Sequence, residues 1–289
     1  GVIFSSSCNG EICAWNLATK ICTAKIKAHD GFVRVSGGET VQLWEPHRSS
    51  PLQTFSWGSD SVYCVRFNPA ETSIFGAGLS GNSVALYDIR GNTPIRRVLM
   101  KMRTNAISWN PMQPINFTVA SEDQNLYTYD MRKLSEALRV HKDFVNAVLD
   151  VDYSPTGKEF VAASFDGTLR FVLSCRFSAD GRFVFSGSAD MCLRVWKSEA
   201  AAALGPQSYR ARLSLNYRKK LQEKYAHLPE IKRIERHHHV PKLIKKTQEK
   251  KRIMKEAAKR REDNRIAHSK PGKHPRVAER KKAIYREIQ

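Results

Sequence analysis

Six stretches of this chain end alike: a small residue, an Asp or polar turn, an alternating strand, then an aromatic. They read SCNGEICAW to Trp15, GGETVQLW to Trp44, LSGNSVALY to Tyr87, SEDQNLYTY to Tyr129, SFDGTLRF to Phe171 and SADMCLRVW to Trp196. The intervals between these aromatics are 29, 43, 42, 42 and 25 residues. Three of the five intervals fall in the roughly 40–45-residue range of a four-stranded unit that must stack on copies of itself to bury its apolar face. Each full unit also contains a strand, a turn and a second strand: VYCVRFNPAETSIFGAG, AISWNPMQPINFTVAS and VLDVDYSPTGKEFVAAS. Pro presets the turn dihedral at Asn68-Pro69, Asn110-Pro111 and Ser154-Pro155. The flanking β-branched and aromatic residues suit a pleated, half-buried surface.

Period and internal order together resemble the WD40 family over roughly residues 1–197. The resemblance implies an all-β propeller, with seven blades as the common closure number. The two short intervals are 13 and 17 residues below the 42-residue period. They predict a missing strand and turn between Arg34 and Val35, and a missing outer strand and next inner strand between Val172 and Leu173. Unpaired strand edges of that kind are what a closed propeller avoids, so the chain reads as joined pieces of a longer one. A blade lost at the first junction raises six endings to seven. The family also implies a His–Ser/Thr–Asp–Trp hydrogen-bond chain within a blade. His141, Ser164 and Asp166 match three of its members, while Phe171 stands in the Trp position with no N–H to donate. His29 matches the His of an earlier blade.

Charge divides the chain. Residues 1–199 carry 21 basic and 19 acidic groups, whereas residues 200–289 carry 27 and 9. A near-neutral domain with a basic tail points to a polyanionic partner for the tail. We place the propeller at 1–198, a linker at 199–208 and a basic helical domain at 209–289. Leu213, Tyr217, Leu221 and Tyr225 recur every four residues on one slowly drifting helical face, which Pro229 stops. A short helix is expected from Glu230 to about His238, and a long one from about Lys242 to Ala267, before Pro271-Gly272. The long segment has few apolar residues, so it should order on a partner. Lys and Arg on such helices contact phosphates. The candidate RNA contacts are Lys232, Arg233, Arg236, Lys245, Lys246, Lys250, Lys251, Arg252, Lys255, Lys259, Arg260 and Arg261.

Other functional classes are disfavoured. No apolar run approaches the ~18 residues of a membrane helix, and the start has neither the basic flank nor the apolar centre of a signal peptide. The six cysteines form no C-x-x-C pair and read as reduced core thiols. His237-His238-His239 lacks the ligands from a second element that zinc needs, so no metal or cofactor is expected. Neither a phosphate-binding Gly-rich loop, a Gly-x-Ser-x-Gly elbow nor a His-Glu-x-x-His helix is present, and no enzyme is expected.

HLPEIKRIERHHHVPKLI (227–244) and RIMKEAAKRREDNRIAHSKPG (252–272) closely resemble the Sof-like C-terminal domain, which follows a WD40 propeller in the eukaryotic small-subunit processome. The resemblance implies a nucleolar, non-enzymatic scaffold. Its partners would be pre-ribosomal RNA, the U3 small nucleolar RNA particle and other processome proteins, and its task 18S pre-ribosomal RNA processing. A second class is carried by Tyr87-Asp88-Ile89-Arg90 and Tyr129-Asp130-Met131-Arg132, which end consecutive blades. They are similar to the Trp-Asp-x-Arg box of WD40 substrate receptors in cullin–RING ubiquitin ligases. Asp88, Arg90, Asp130 and Arg132 are therefore candidate adaptor contacts, because Arg can hold an adaptor's carboxylate bidentately.

Overall fold

The computed structural model describes residues 2–6, 11–16, 19, 21–27, 40–43, 50–56, 61–91, 93–165, 172–199, 205, 208–236 and 242–288. Strands β1 (Val2–Ser6), β2 (Glu11–Asn16) and β3 (Ile21–Lys27) form one antiparallel sheet, and β4 (Thr40–Leu43) pairs with β5 (Gln53–Ser56). A four-stranded meander follows: β6 (Val62–Phe67), β7 (Ile74–Leu79), β8 (Ser83–Asp88) and β9 (Pro94–Met100). The next is β10 (Thr104–Trp109), β11 (Asn116–Ser121), β12 (Leu126–Asp130) and β13 (Arg139–His141). β14 (Val148–Tyr153) pairs with β15 (Phe160–Ser164), and β16 (Val172–Phe177), β17 (Phe183–Ser188) and β18 (Leu193–Lys197) make a further sheet. The described residues thus form six sheets, one for each repeated ending.

The sheets are blades. Their first strands β6, β10, β14 and β16 lie side by side in chain order. Strand alternation divides each blade between two cores. On β8, Val84 and Leu86 join a cluster with Ile107, Trp109, Phe117 and Tyr129 of the next blade. Ala85 and Tyr87 point the other way, into a cluster with Phe55 of the preceding sheet. Both sets are apolar because both faces of a stacked blade are covered. The repeated aromatic is the anchor of this packing: Tyr87 stacks on Phe75 at 5.0 Å and Tyr129 lies 5.7 Å from Phe117.

The Asn-Pro turns do more than reverse the chain. Asn68 Oδ1 accepts from the amides of Ala70 and Glu71, while its Nδ2 donates to Pro114 O in the next blade at 2.8 Å. Asn110 repeats the device: Oδ1 accepts from Met112 and Gln113, and Nδ2 donates to Gly157 O of the following blade at 3.1 Å. Gly157 sits at φ +66°, and a Cβ there would stand 2.6 Å from Asn110 Oδ1. Between β14 and β16 the same role falls to carboxylates. Asp150 accepts from Cys175 N at 3.1 Å, and Asp152 from Phe177 N at 2.9 Å.

That arrangement corrects one expectation. The inner strand after Phe171 is not absent: Val172–Phe177 is that strand, with Cys175 buried against Ala163. The shortfall therefore lies in the preceding blade. The expected His141–Ser164 link does not form either. The His141 ring meets Thr128 Oγ1 at 3.1 Å, and Ser164 Oγ donates to Asn146 O and Ala147 O. The Trp end of such a chain is present in the last blade, where Trp196 Nε1 donates to Ser186 Oγ at 2.8 Å. Trp44, Phe171, His29, Asp166, His237-His238-His239 and the Arg34–Val35 junction lie outside the described residues. Cys64, Cys175 and Cys192 are free thiols. Burial pushes Cys64 up to about 11, whereas Cys192 is exposed.

Helices α1 (Tyr209–Lys224), α2 (Pro229–Arg236) and α3 (Lys242–Ala267) follow. Ser208 caps α1 by accepting from Ala211 N. Its four-residue stripe stays uncovered: Tyr217 is 67% and Leu213 51% exposed. The chain does not remain helical to its end, however. After α4 (Glu279–Lys282), strand β19 (Ile284–Ile288) pairs antiparallel with β9 as the fifth strand of its blade. β9 offers an edge, and Ile284–Ile288 pairs along it with a register shift between Ile284 and Arg286. Ala283 is buried in the same core as Leu86 and Tyr129.

Candidate functional site

The two Tyr-Asp-x-Arg ends occupy equivalent corners of adjacent blades, each at the exit of a third strand. Both Tyr rings are core, which frees only the Asp and Arg for outside work. The local geometry is the same in each: Asp88 Oδ1 accepts from Arg90 N at 3.0 Å, and Asp130 Oδ1 from Arg132 N at 2.8 Å. The Asp is thus a turn cap first. Arg132 goes further and folds its guanidinium onto Asp130, with Nε at 3.1 Å from Oδ1 and a terminal nitrogen at 2.8 Å from Oδ2. This contact holds the Asp130 carboxyl below the usual carboxylate range. The Arg132 side chain remains 68% exposed, and Arg90 is also exposed.

The basic candidates lie on α2 and α3. Lys232 is exposed on α2; Arg233 and Arg236 belong to the same helix, and their side chains are outside the described set. On α3, Lys245, Lys246, Lys250, Lys255, Lys259, Arg260 and Arg261 are exposed. Arg252 is exposed as well, with Glu256 of the next turn at 3.8 Å. Lys251 is placed differently: its Nζ reaches Asp143, in the loop after β13, at 2.6 Å. This hydrogen bond and charge pull the Asp143 carboxyl down.

That ion pair is one strap of several that fix the tail to the propeller. Lys142 pairs with Glu279, and Arg96 with Glu287 at 3.1 Å. Ala137 N donates to Arg280 O at 3.1 Å, and Lys101 N to Ala283 O at 2.8 Å. Sequence reasoning missed these residues, because Asp143 and Lys251 are separated by 108 positions. The outcome is a set of packed blades with the basic tail tied to them by ion pairs and backbone hydrogen bonds. Among the described residues no group of three or more His, Cys, Asp or Glu could hold a metal ion, and no helix is long and apolar enough to cross a membrane.

Comparison with known proteins finds a match for each part of the chain. The Sof1-like domain matches residues 198–284, and the WD domain, G-beta repeat matches residues 132–171 and 170–197. DDB1- and CUL4-associated factor 13 of Danio rerio is 37% identical over 364 positions, taking in 99% of this chain and 82% of that protein. The Homo sapiens protein of the same name is 38% identical over 98% of this chain and 81% of its own length. Protein SOF1 of Saccharomyces cerevisiae is 42% identical over 86% of this chain and 54% of its own length. Among solved structures, the β-propeller domain of Myceliophteria thermophila Cps50 (Swd1) superposes with a TM-score of 0.61 at 16% identity, covering 71% of this chain and 84% of that one. A chain of the mitotic checkpoint complex does so with the same score and identity, covering 68% and 71%. These two likenesses establish the propeller fold. A 364-position alignment that uses 99% of 289 residues leaves the Danio protein with about 75 positions that have no counterpart here, close to two blades' worth of ~40–45 residues. With the WD repeats, the Sof1-like domain and near-complete coverage by relatives of this identity, the chain belongs to the Sof1 and DDB1- and CUL4-associated factor 13 family of WD-repeat proteins.

Proposed function

We propose that this protein is a non-enzymatic scaffold of small-subunit ribosome assembly in the nucleolus. Its propeller docks processome proteins, and its tail binds pre-ribosomal RNA beside the U3 particle during 18S processing. The carrying observation is the charge split, 27 basic groups against 9 acidic over residues 200–289, together with the exposure of most of those on α3. An exposed cationic helix tied to packed blades neutralises phosphates and fixes the RNA's path without reading its bases. Exchanging Lys245, Lys246, Lys250, Lys259 and Arg260 together for Gln in the full chain should abolish co-sedimentation with pre-ribosomal particles and leave the thermal transition of the propeller in place. Undiminished co-sedimentation would assign particle binding to the propeller.

A second reading rests on the paired blade ends. Relatives are named for association with DDB1 and CUL4, and the exposed Arg132, whose Nε and one terminal nitrogen engage Asp130, has its other terminal nitrogen left for an adaptor carboxylate. The two roles use different surfaces and are compatible. The double variant Arg90→Ala/Arg132→Ala should weaken capture of a ubiquitin-ligase adaptor by roughly tenfold or more, in line with the loss of a charge-assisted pair. Pre-ribosomal RNA processing should stay near normal. A processing defect in the folded double variant would show that this rim serves ribosome assembly.

A further inference from the structure

The last turns of α3, the loop that follows it and the end of β9 enclose an open cleft of about 500 Å³. It lies apart from the Tyr-Asp-x-Arg corners, and its volume falls within the ~300–1,000 Å³ of small-ligand sites. Its rim is cationic, with Lys101 supplied by the propeller and Arg261 and Arg265 by the tail, and His274 also lines it. Glu262 is the carboxylate in the lining, and Lys282 occupies it with Nζ 3.0 Å from both oxygens. Among the described residues Lys101, Arg261 and Arg265 have no ion-pair partner, so their charge is uncompensated. The apolar part of the lining is formed by Ala258, Ile266, Pro275 and Val277.

Cations in a partly apolar lining suit a ligand with a phosphate at one end and a flat, poorly solvated ring at the other. We propose that the cleft takes one unpaired nucleotide of the bound RNA strand. Arg261, Arg265 and Lys101 hold its phosphate, and its base lies against Ile266, Pro275 and Val277 with the His274 ring or an Arg plane available for stacking. The proposal rests on the RNA reading of the tail and deepens it. Elsewhere along α3 the contacts are to backbone only, whereas here a splayed base is gripped. It also makes Lys101 a working part of the RNA surface, and the turn between α4 and β19 the element that positions it, since Lys101 N is bonded to Ala283 O.

The test uses the full chain, a single-stranded oligoribonucleotide and an RNA duplex of equal length. Affinity is measured for each, and ultraviolet cross-links, which report bases in direct contact, are mapped onto the protein. The expected result is a base cross-link within residues 262–277 for the single strand and none for the duplex. Lys101→Ala/Arg265→Ala should remove that cross-link and cost single-strand affinity roughly tenfold more than the control pair Lys246→Ala/Lys250→Ala, the scale of one lost stacked base. Binding without a cleft cross-link, or equal losses in the two pairs, overturns the nucleotide site and leaves the RNA reading standing. Absence of binding to either RNA overturns both. Displacement of the cleft cross-link by millimolar nucleoside monophosphate, with the strand still held, overturns the strand-borne version in favour of a free nucleotide.

Discussion

Between about 50 and 200 mM salt, the affinity of the full chain for structured RNA should fall by roughly three to five decades. The expectation comes from counterion release. Each phosphate neutralised contributes a log–log slope of roughly −0.7 to −0.9, and about six to ten contacts give that range. The tail has the groups to supply them: Lys245, Lys246, Lys250, Lys255, Lys259, Arg260 and Arg261 are all exposed on α3. Lys251 should contribute little, because Asp143 already engages it at 2.6 Å. Lys251→Gln should therefore leave the slope near its starting value, while Lys250→Gln should lower it by about one contact. Preference among RNA sequences should be weak outside the cleft nucleotide, since phosphates carry no base information. A flat salt response would make the tail a protein-docking module.

The second large effect concerns stability. Removing residues 279–289 deletes α4 and β19, opens the edge of β9 and uncovers the core that Ala283 helps to close. The lost ladder between β19 and β9, at ~0.5–1.5 kcal/mol per hydrogen bond, together with the lost burial, should cost about 3 kcal/mol. For a domain of this size that lowers Tm by roughly 6–12 °C. Ala283→Asp should cost a similar amount by placing a carboxylate in the core at a residue 5% exposed, whereas Tyr285→Ala, 78% exposed on the same strand, should be nearly silent. Equal behaviour of the three in thermal unfolding would mean that β19 adds nothing to its blade. The propeller is thus not independent of its tail, even though the charge boundary near residue 199 suggests two separable parts.

The legible and illegible parts of this fold differ in the range of the interactions behind them. Tyr87 and Tyr129 announce their blades because the anchoring aromatic comes at the end of a local, alternating strand. The long helix could be bounded at Lys242 and Ala267 because Pro241 and Pro271-Gly272 punctuate it locally. Strand Val172–Phe177 was misplaced by interval arithmetic, which counts residues and cannot say which strand of a shortened unit survives. Its own resemblance to Val62–Phe67, with a buried thiol and an Arg-Phe exit, was the better guide. β19 was illegible because its partner β9 lies nearly 190 residues earlier, and five residues after a helix specify no edge. The same distance hid Lys101 from any reading of the tail, although charge and helix spacing located the basic surface of α3. At the blade corners, the sequence pattern identified Asp130 and Arg132, but only the fold shows that the guanidinium rests on its own carboxylate.

The central claim is that the tail, tied to the propeller, is the RNA-binding part of this protein. The most direct measurement is a residue-resolved RNA cross-linking map of the full chain inside pre-ribosomal particles. The account predicts cross-links concentrated on α2, on the exposed basic residues of α3 and on the cleft around Arg265, with few on the blade corners at Arg90 and Arg132. A map concentrated on the blades, with α3 free of RNA, would contradict it.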